Sequence, residues 1–392
     1  MTSPLLDGAR ILVLAENPCD PDPRIVRSSE SLVRAGAEVK LLAWIRDSTA
    51  PLEEERGGVR VERVPPVSGR QLGWRQFPNL LRFAWSCRSR LREDEYDIVV
   101  AHDVLMLPFA AAFARRWSAG LVYDAHEIYR WMEAGRLPRI WLALVEALEH
   151  RLVDGPVDSF ITVSKQRVEQ YWASKVRKRP TVVGNWYNPI DVSRERARED
   201  LGLSVGPRPV IAYAGTLSQS RRVDLLLGLA QRRPDITILI AGRGGPSATA
   251  TVERAASEHD NIHFLGWIED TLRLLAAADA VFYTLDPTHP YSRFAAPNTL
   301  YSAIAANRPL ISAAQGEVEW MTRNSRGIIP LGDLSVDALE RAVSTLPDWE
   351  GWGVVRDQFT WDRSEQQLLD AVHRSMPARL RADSELPPVA SR

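Results

Sequence analysis

Short, unbroken apolar runs, each closed by a polar cluster and followed by a helix-like stretch, constrain this chain more than any other feature. ILVLA at 11–15, DIVVA at 97–101, LVYD at 121–124, VIAYA at 210–214 and DAVFY at 279–283 are continuous rather than alternating. A strand covered by helices on both faces reads this way, and such strands belong to parallel sheets. The order strand (10–15), helix (24–35), strand (38–44) has the spacing of a right-handed parallel crossover. A third strand, 59–64, follows the Gly57-Gly58 turn, and 130–152 reads as an amphipathic helix. The 392 residues are enough for two cores. The proline-, glycine- and charge-rich stretch at 187–209 separates them. The expected fold is therefore α/β, with two facing Rossmann-like domains and a cleft between them. We place the first domain at 1–190, with a crossing helix returning at about 360–377, a linker at 191–208 and the second domain at 209–359. The tail, 378–392, has too little to bury to be ordered.

Composition removes several function classes. A net charge of −1 gives no reason to expect nucleic acid as a partner. Cys19 and Cys87 have no metal-ligand spacing around them. The opening MTSPLLDGARILVLAE lacks a basic leader with a long apolar stretch, and no run reaches transmembrane length, so a cytoplasmic enzyme is the expectation. The segment 70–92 is basic and aromatic, with Arg70, Trp74, Arg82, Trp85 and Arg88 among its residues. It reads either as a weak contact with an anionic membrane face or a lipid-linked acceptor, or as a core-packing helix from about Pro78 with a solvated basic face. The second reading is preferred, and it lays Leu81 and Trp85 along one face.

Chemistry-bearing residues cluster just beyond the strands, where parallel sheets place their sites. His102-Asp103 ends one run and Ala125-His126-Glu127 another; for His102 a plain loop role is expected. Asp20 and Asp22, in an Asp-Pro-Asp-Pro turn, suit turn and capping roles rather than a metal. Gly215-Thr216 leads to Arg221-Arg222 at a helix start, where the dipole disfavours cations; two arginines there point to an anionic ligand. Gly242 opens a glycine cluster that lets backbone approach a ligand. In 294–312, FAAPNTLYSAIAANRPLIS, Pro297 suits the first helical position and Asn307 a left-handed helix end. A helix starting on Pro-Asn offers unpaired backbone N–H groups to a phosphate. Glu317 and Glu319, after the next strand, suit capping.

The same stretch resembles the "PNKLFEAMAAGKPVI" run of retaining glycosyltransferases of family 4, which have the two-domain GT-B fold. It keeps Pro297, Asn298, Leu300, Ala303, Ala306 and Pro309, and departs at Thr299 (usually Lys), Ser302 (usually Glu) and Asn307 (usually Gly). DPRIVRSSESLVRAGAEVKLL resembles the family's opening, though without its first-loop glycines. GTLSQSRR resembles its "G-R-L … K-G" loop, with Thr216 for Arg, Arg221 for Lys and Arg222 for Gly. YDAHE and FLGWI also have counterparts. The resemblance implies transfer of a sugar from a nucleotide-sugar donor to an acceptor with retention, without a cofactor or metal. It implies that His126 hydrogen-bonds the sugar or a phosphate, and that Arg221 and Arg222 neutralise the leaving diphosphate. Gly215, Thr216, Ala296, Pro297, Asn298 and Thr299 would cradle that diphosphate. Gly242, Gly266, Trp267, Ile268 and Ser302 would hold the nucleoside. The acceptor stays open: a small molecule, a lipid-linked saccharide or a glycan. Three alternatives remain: a catalytically inactive GT-B partner protein, a sugar-nucleotide 2-epimerase and, least favoured because it would not need the His126 segment, a non-enzymatic nucleotide-binding module.

Overall fold

The computed structural model describes residues 5–20, 22–45, 50–65, 77–92, 94–203 and 208–381. They form two compact units, Met1–Val183 with Glu365–Arg392, and Gly184–Ser364.

The first unit is built on an eight-stranded sheet of order β3-β4-β2-β1-β5-β6-β7-β8. Its strands are β1 (Arg10–Ala15), β2 (Glu38–Trp44), β3 (Glu53–Arg56), β4 (Val59–Val64), β5 (Ile98–His102), β6 (Gly120–Ala125), β7 (Ser159–Thr162) and β8 (Thr181–Val182). All neighbours are parallel except β3, which folds back on β4 across Gly57-Gly58. The helices are α1 (Pro23–Arg34), α2 (Phe77–Arg90), α3 (Leu107–Trp117), α4 (Tyr129–Met132), α5 (Arg139–Asp154) and α6 (Lys165–Gln170). Asp22 caps α1 by accepting from the backbone N–H groups of Arg24 and Ile25. α1 steps from β1 toward one edge of the sheet, whereas α2, α3 and α5 step toward the other. Right-handed crossovers therefore place those three together on the face opposite α1.

The second unit has a six-stranded, all-parallel sheet of order β11-β10-β9-β12-β13-β14. These strands are β9 (Val210–Ala214), β10 (Thr237–Ala241), β11 (Ile262–Phe264), β12 (Ala280–Phe282), β13 (Leu310–Ala313) and β14 (Ile328–Leu331). Its helices are α7 (Arg194–Asp200), α8 (Val223–Arg232), α9 (Pro246–Glu258), α10 (Thr271–Ala276), α11 (Asn298–Ala305), α12 (Gly316–Asn324), α13 (Val336–Ser344) and α14 (Val355–Gln358). Ile211, Ile238, Ile240 and Phe282 pack on one face against Leu226 and Leu229 of α8 and Leu339 of α13. Helix α15 (Trp361–Arg374) then carries the chain back, and Leu368, Ala371 and Val372 join Ile11, Val13, Val39 and Leu41 in the first core.

Several expectations change in detail. Pro297 is the extended cap of α11 (ψ 134°), not its first helical residue, so the helix starts one position later. The single helix expected over 130–152 is two, α4 and α5. In α2 the expected inward face is reversed: Leu81 and Trp85 are exposed, while Phe83 and Cys87 meet the core. Trp44 and Phe83 rings, 5.7 Å apart, fix that orientation. The rest of the basic segment, 66–76, lies outside the described residues. The tail does not begin at 378, because Ala378–Arg381 forms a further helical turn, α16, with Leu380 packed on the first core; 382–392 lie outside the described residues. No helix among the described residues is long and apolar enough to cross a membrane.

Candidate functional site

In the first unit, chemistry collects where β5 and β6 end side by side, with His102 in register with Asp124. Arg24, in the first turn of α1, is 5% exposed. Its Nε and Nη2 donate to Asp124 Oδ2 (3.2 Å) and Oδ1 (2.7 Å), and its Nη1 donates to the Val183 carbonyl (2.7 Å). His126 Nε2 lies 2.7 Å from His102 Nδ1 and 3.2 Å from Asp124 Oδ2. The main chain of 126–127 is held from both sides. Asp103 Oδ1 accepts from the N–H groups of His126 (2.9 Å) and Glu127 (3.1 Å). Buried Arg167 donates to the His126 carbonyl and to Glu127 Oε2. Asp103 itself sits at φ +62°, a strained conformation for a side-chain-bearing residue.

Burial penalises every charge here, and the partners decide which survive. Burial would raise Asp124, but Arg24 and then His126 hold it well below the usual carboxylate range. Burial, reinforced by His126, pushes His102 down to about 3. Burial also opposes charge on His126, yet Asp124 and Asp103 outweigh it and raise its pKa. Burial pushes Asp103 up to about 6. With His102 neutral and Asp124 anionic, the geometry is met by a His126 whose Nε2–H donates into the cluster, toward His102 Nδ1 and Asp124. Only Nδ1 of the His126 ring, 3.9 Å from Asp103 Oδ2, is left for a ligand, and the side chain is 12% exposed.

No metal cluster is visible in the sequence, but the fold does assemble a donor set: His102, Asp124 and His126 offer ligand atoms within 4.8 Å of one another. Both Asp124 oxygens already accept from the Arg24 guanidinium, a fixed positive charge that opposes a second cation. His102 is thus no plain loop residue. Arg24 also escaped notice, although a cation in the first turn of a helix, against the dipole, is the signal that singled out Arg221 and Arg222.

In the second unit, the loops after β9, β10 and β11 are stitched edge to edge. Gly215 N–H donates to the Ala241 carbonyl (3.0 Å), Leu217 N–H to the Arg243 carbonyl (2.9 Å) and Gly242 N–H to the Gly266 carbonyl (2.7 Å). Gly242 has φ +148°, and a Cβ there would stand 1.8 Å from the Gly215 carbonyl oxygen, so only glycine permits the approach. Gly215, Thr216, Gly242, Trp267 and Ile268 line one cavity of about 220 Å³. Trp267 is 52% exposed, and the Arg243 guanidinium lies 5.1 Å from its ring centroid. Tyr213, at the end of β9, donates from its hydroxyl to the Thr216 carbonyl (2.6 Å).

The two arginines differ. Arg221 lies over the Tyr283 ring (5.0 Å) and donates to its hydroxyl (2.5 Å), with no carboxylate partner among the described residues. Arg222, at φ +49°, is turned onto Asp224, with Nε to Oδ1 at 3.0 Å and Nη2 to Oδ2 at 3.0 Å. The pairing expected of both with an anionic ligand is therefore already met at Arg222 by a neighbouring acid. Arg222 lines a separate hollow of about 1,230 Å³ with Ser218, Ser220, Asp286 and His289.

Ala296, Pro297 and Thr299 are half-buried and Asn298 is exposed, at the start of an α11 that has no side-chain cap. Ser302 faces inward, 4% exposed. The acids expected to cap α12 do not. Gln315 is its N-cap, Glu317 is fully buried and accepts from the Tyr301 hydroxyl (3.3 Å), and Glu319 pairs with Arg323 one turn on.

Comparison with known proteins converges. Residues 21–186 match the model of the glycosyl transferase 4-like domain, and 208–348 that of glycosyl transferases group 1. A D-inositol 3-phosphate glycosyltransferase of Mycolicibacterium smegmatis is 26% identical over 90% of this chain and 85% of its own length. Relatives of the same name from Mycobacterium sp. strains KMS and MCS are 25% identical over 66% of this chain, a match that spans 63% of their length. Among solved structures, Anabaena Alr3699/HepE in complex with UDP superposes with a TM-score of 0.68 at 17% identity, covering 93% of this chain and 99% of that one. Sucrose-phosphate synthase of Thermosynechococcus elongatus gives 0.67 at 15%, covering 96% of each.

Proposed function

The chain belongs to the family 4 glycosyltransferases with the GT-B fold, and we propose that it moves a hexose from a nucleotide-sugar to an acceptor hydroxyl with retention of anomeric configuration. The observation that carries this reading is the carboxyl edge of the second sheet. There Gly215, Thr216, Gly242 and Trp267 share one cavity, and farther along the loop after β9 Arg221 lies over Tyr283 with no carboxylate partner among the described residues. In this reading the nucleoside lies against Trp267-Ile268. The diphosphate takes hydrogen bonds from Arg221 and from the uncapped amides of α11. As the bond between the anomeric carbon and the diphosphate oxygen breaks, charge grows on that oxygen, and fixed donors stabilise it without reorganising. The acceptor oxygen then bonds to the anomeric carbon on the same face, and its proton passes to the leaving phosphate. Arg221 and the helix dipole perform the charge neutralisation that a metal ion performs elsewhere.

A second reading, a catalytically inactive partner protein, is favoured by one observation: Ser302 and Arg222, where the family usually has Glu and Gly, offer a buried hydroxyl and a cation already neutralised by Asp224. Thermal shift with UDP, GDP, ADP, dTDP and CDP separates the two readings, because a ligand bound only by the folded state raises Tm by mass action. The transferase reading expects a shift with one of them, and expects Arg221→Ala to weaken it about tenfold to a hundredfold in affinity, the worth of a charge-assisted hydrogen bond. No shift with any nucleotide favours the inactive partner.

A further inference from the structure

Helix α5 is apolar on two sides. Its exposed side carries Ile140, Leu144 and Leu148, which are 73%, 61% and 44% exposed, with Ala143 and Ala147 between them. These positions recur at three- and four-residue steps and form one continuous stripe. The two glutamates of the helix point the other way. Glu146 is buried, accepts from the Tyr171 hydroxyl (2.9 Å) and Arg130, and lies 3.7 Å from the Lys175 ammonium. Glu149, also buried, accepts from the Tyr123 hydroxyl. Leu142 and Val153 are buried beside those acids, so the exposed Ile140, Leu144 and Leu148 form a second apolar face with no partner among the described residues of the unit.

The surroundings select the chemistry of that something. Arg139 and Arg151 are the exposed charges at the two ends of the stripe. The topology puts α2 and α3 on the same sheet face as α5, and neither contains an acidic residue. They add Arg82 and Arg88, Arg115 and Arg116 to the exposed cations, and Leu81 and Trp85 to the exposed apolar groups. A second copy of the chain docking on this face by two-fold symmetry would bring one arginine rim against another. An anionic bilayer instead meets the arginines with its headgroups and the aliphatic stripe with its acyl boundary.

We propose that the α2–α3–α5 face of the first unit is a peripheral membrane-binding surface, with α5 lying in the interface of an anionic lipid leaflet. The surface uses no residue of the candidate donor site and stands whether or not the chain turns over a nucleotide-sugar.

The test is flotation of the full chain with phosphatidylcholine vesicles made with and without phosphatidylglycerol, at low and high salt. The wild type is expected to float with the anionic vesicles alone and to release at high salt. Leu144→Asp and the double variant Arg139→Glu/Arg151→Glu should each lower the bound fraction about tenfold. All altered side chains are exposed, so circular dichroism and Tm should match the wild type. The proposal is overturned by three results: no flotation of the wild type, flotation indifferent to both variants, or a wild-type dimer that Leu144→Asp turns into a monomer without any vesicle binding. The last would assign the stripe to a second copy.

Discussion

The two chemistry-bearing places differ in how they treat charge. In the first unit Arg24, Asp124, His102 and His126 are buried against one another, and each polar partner is supplied from within the fold. In the second unit the equivalent strand ends are made of glycines, an uncapped helix and a cation resting on an aromatic ring. The first place supplies its own partners; in the second, α11 begins with no side-chain cap.

The sharpest way to break this comparison is Asp124→Ala. It strands the Arg24 guanidinium in the core, and removing one partner of a buried pair costs about 3–5 kcal/mol. Urea unfolding should show a loss of that size; a loss under about 1 kcal/mol would mean that water reaches the cluster. A second effect, of comparable size when summed over its window, depends on pH. Burial pushes Glu149 up to about 8 from its ordinary 4.5, with the Tyr123 bond opposing. Its folded form therefore holds a proton that the unfolded chain releases between those values. That contribution to stability is complete below pH 4.5 and is lost as pH rises through 8. Measured against Glu149→Gln, which cannot titrate, the wild type should lose up to about 1.4 kcal/mol per pH unit across this window. A parallel pH profile for the two proteins would place Glu149 in water. The smallest effect is expected at Arg222→Ala. Its pair with Asp224 is partly exposed, so stability should change by less than about 1 kcal/mol and nucleotide affinity by less than for Arg221→Ala. Equal losses of affinity at both arginines would remove the distinction drawn between them.

The fold was largely legible because buried parallel strands leave continuous apolar runs and turns leave glycine and proline. Ile11 to Ala15 and Val210 to Ala214 could scarcely be anything else. The order of the sheets, by contrast, joins residues distant in sequence, as Arg24 joins Asp124 a hundred positions on. His102 could not be ranked above a loop histidine without knowing that β5 and β6 are neighbours. Helix α5 withheld something different. Its period was plain, but which side faced inward depended on Tyr123 and Tyr171 waiting to receive its glutamates. The same blindness to partners put Leu81 and Trp85 on the wrong side of α2. Periodicity fixes an axis; it does not fix a direction.

The return of the chain through α15 has a consequence for synthesis. Leu368, Ala371, Val372 and Met376 cover the same apolar face as Ile11, Val13 and Leu41, more than three hundred positions earlier. While the ribosome is still adding the second unit, that face is covered only in part, by Ile25 and Leu32 of α1. The first unit to emerge is thus the last to be completed, and a nascent chain stopped near residue 360 carries a partly open hydrophobic sheet. Such a fragment should need a chaperone or aggregate. Supplied with a peptide spanning α15, it should close.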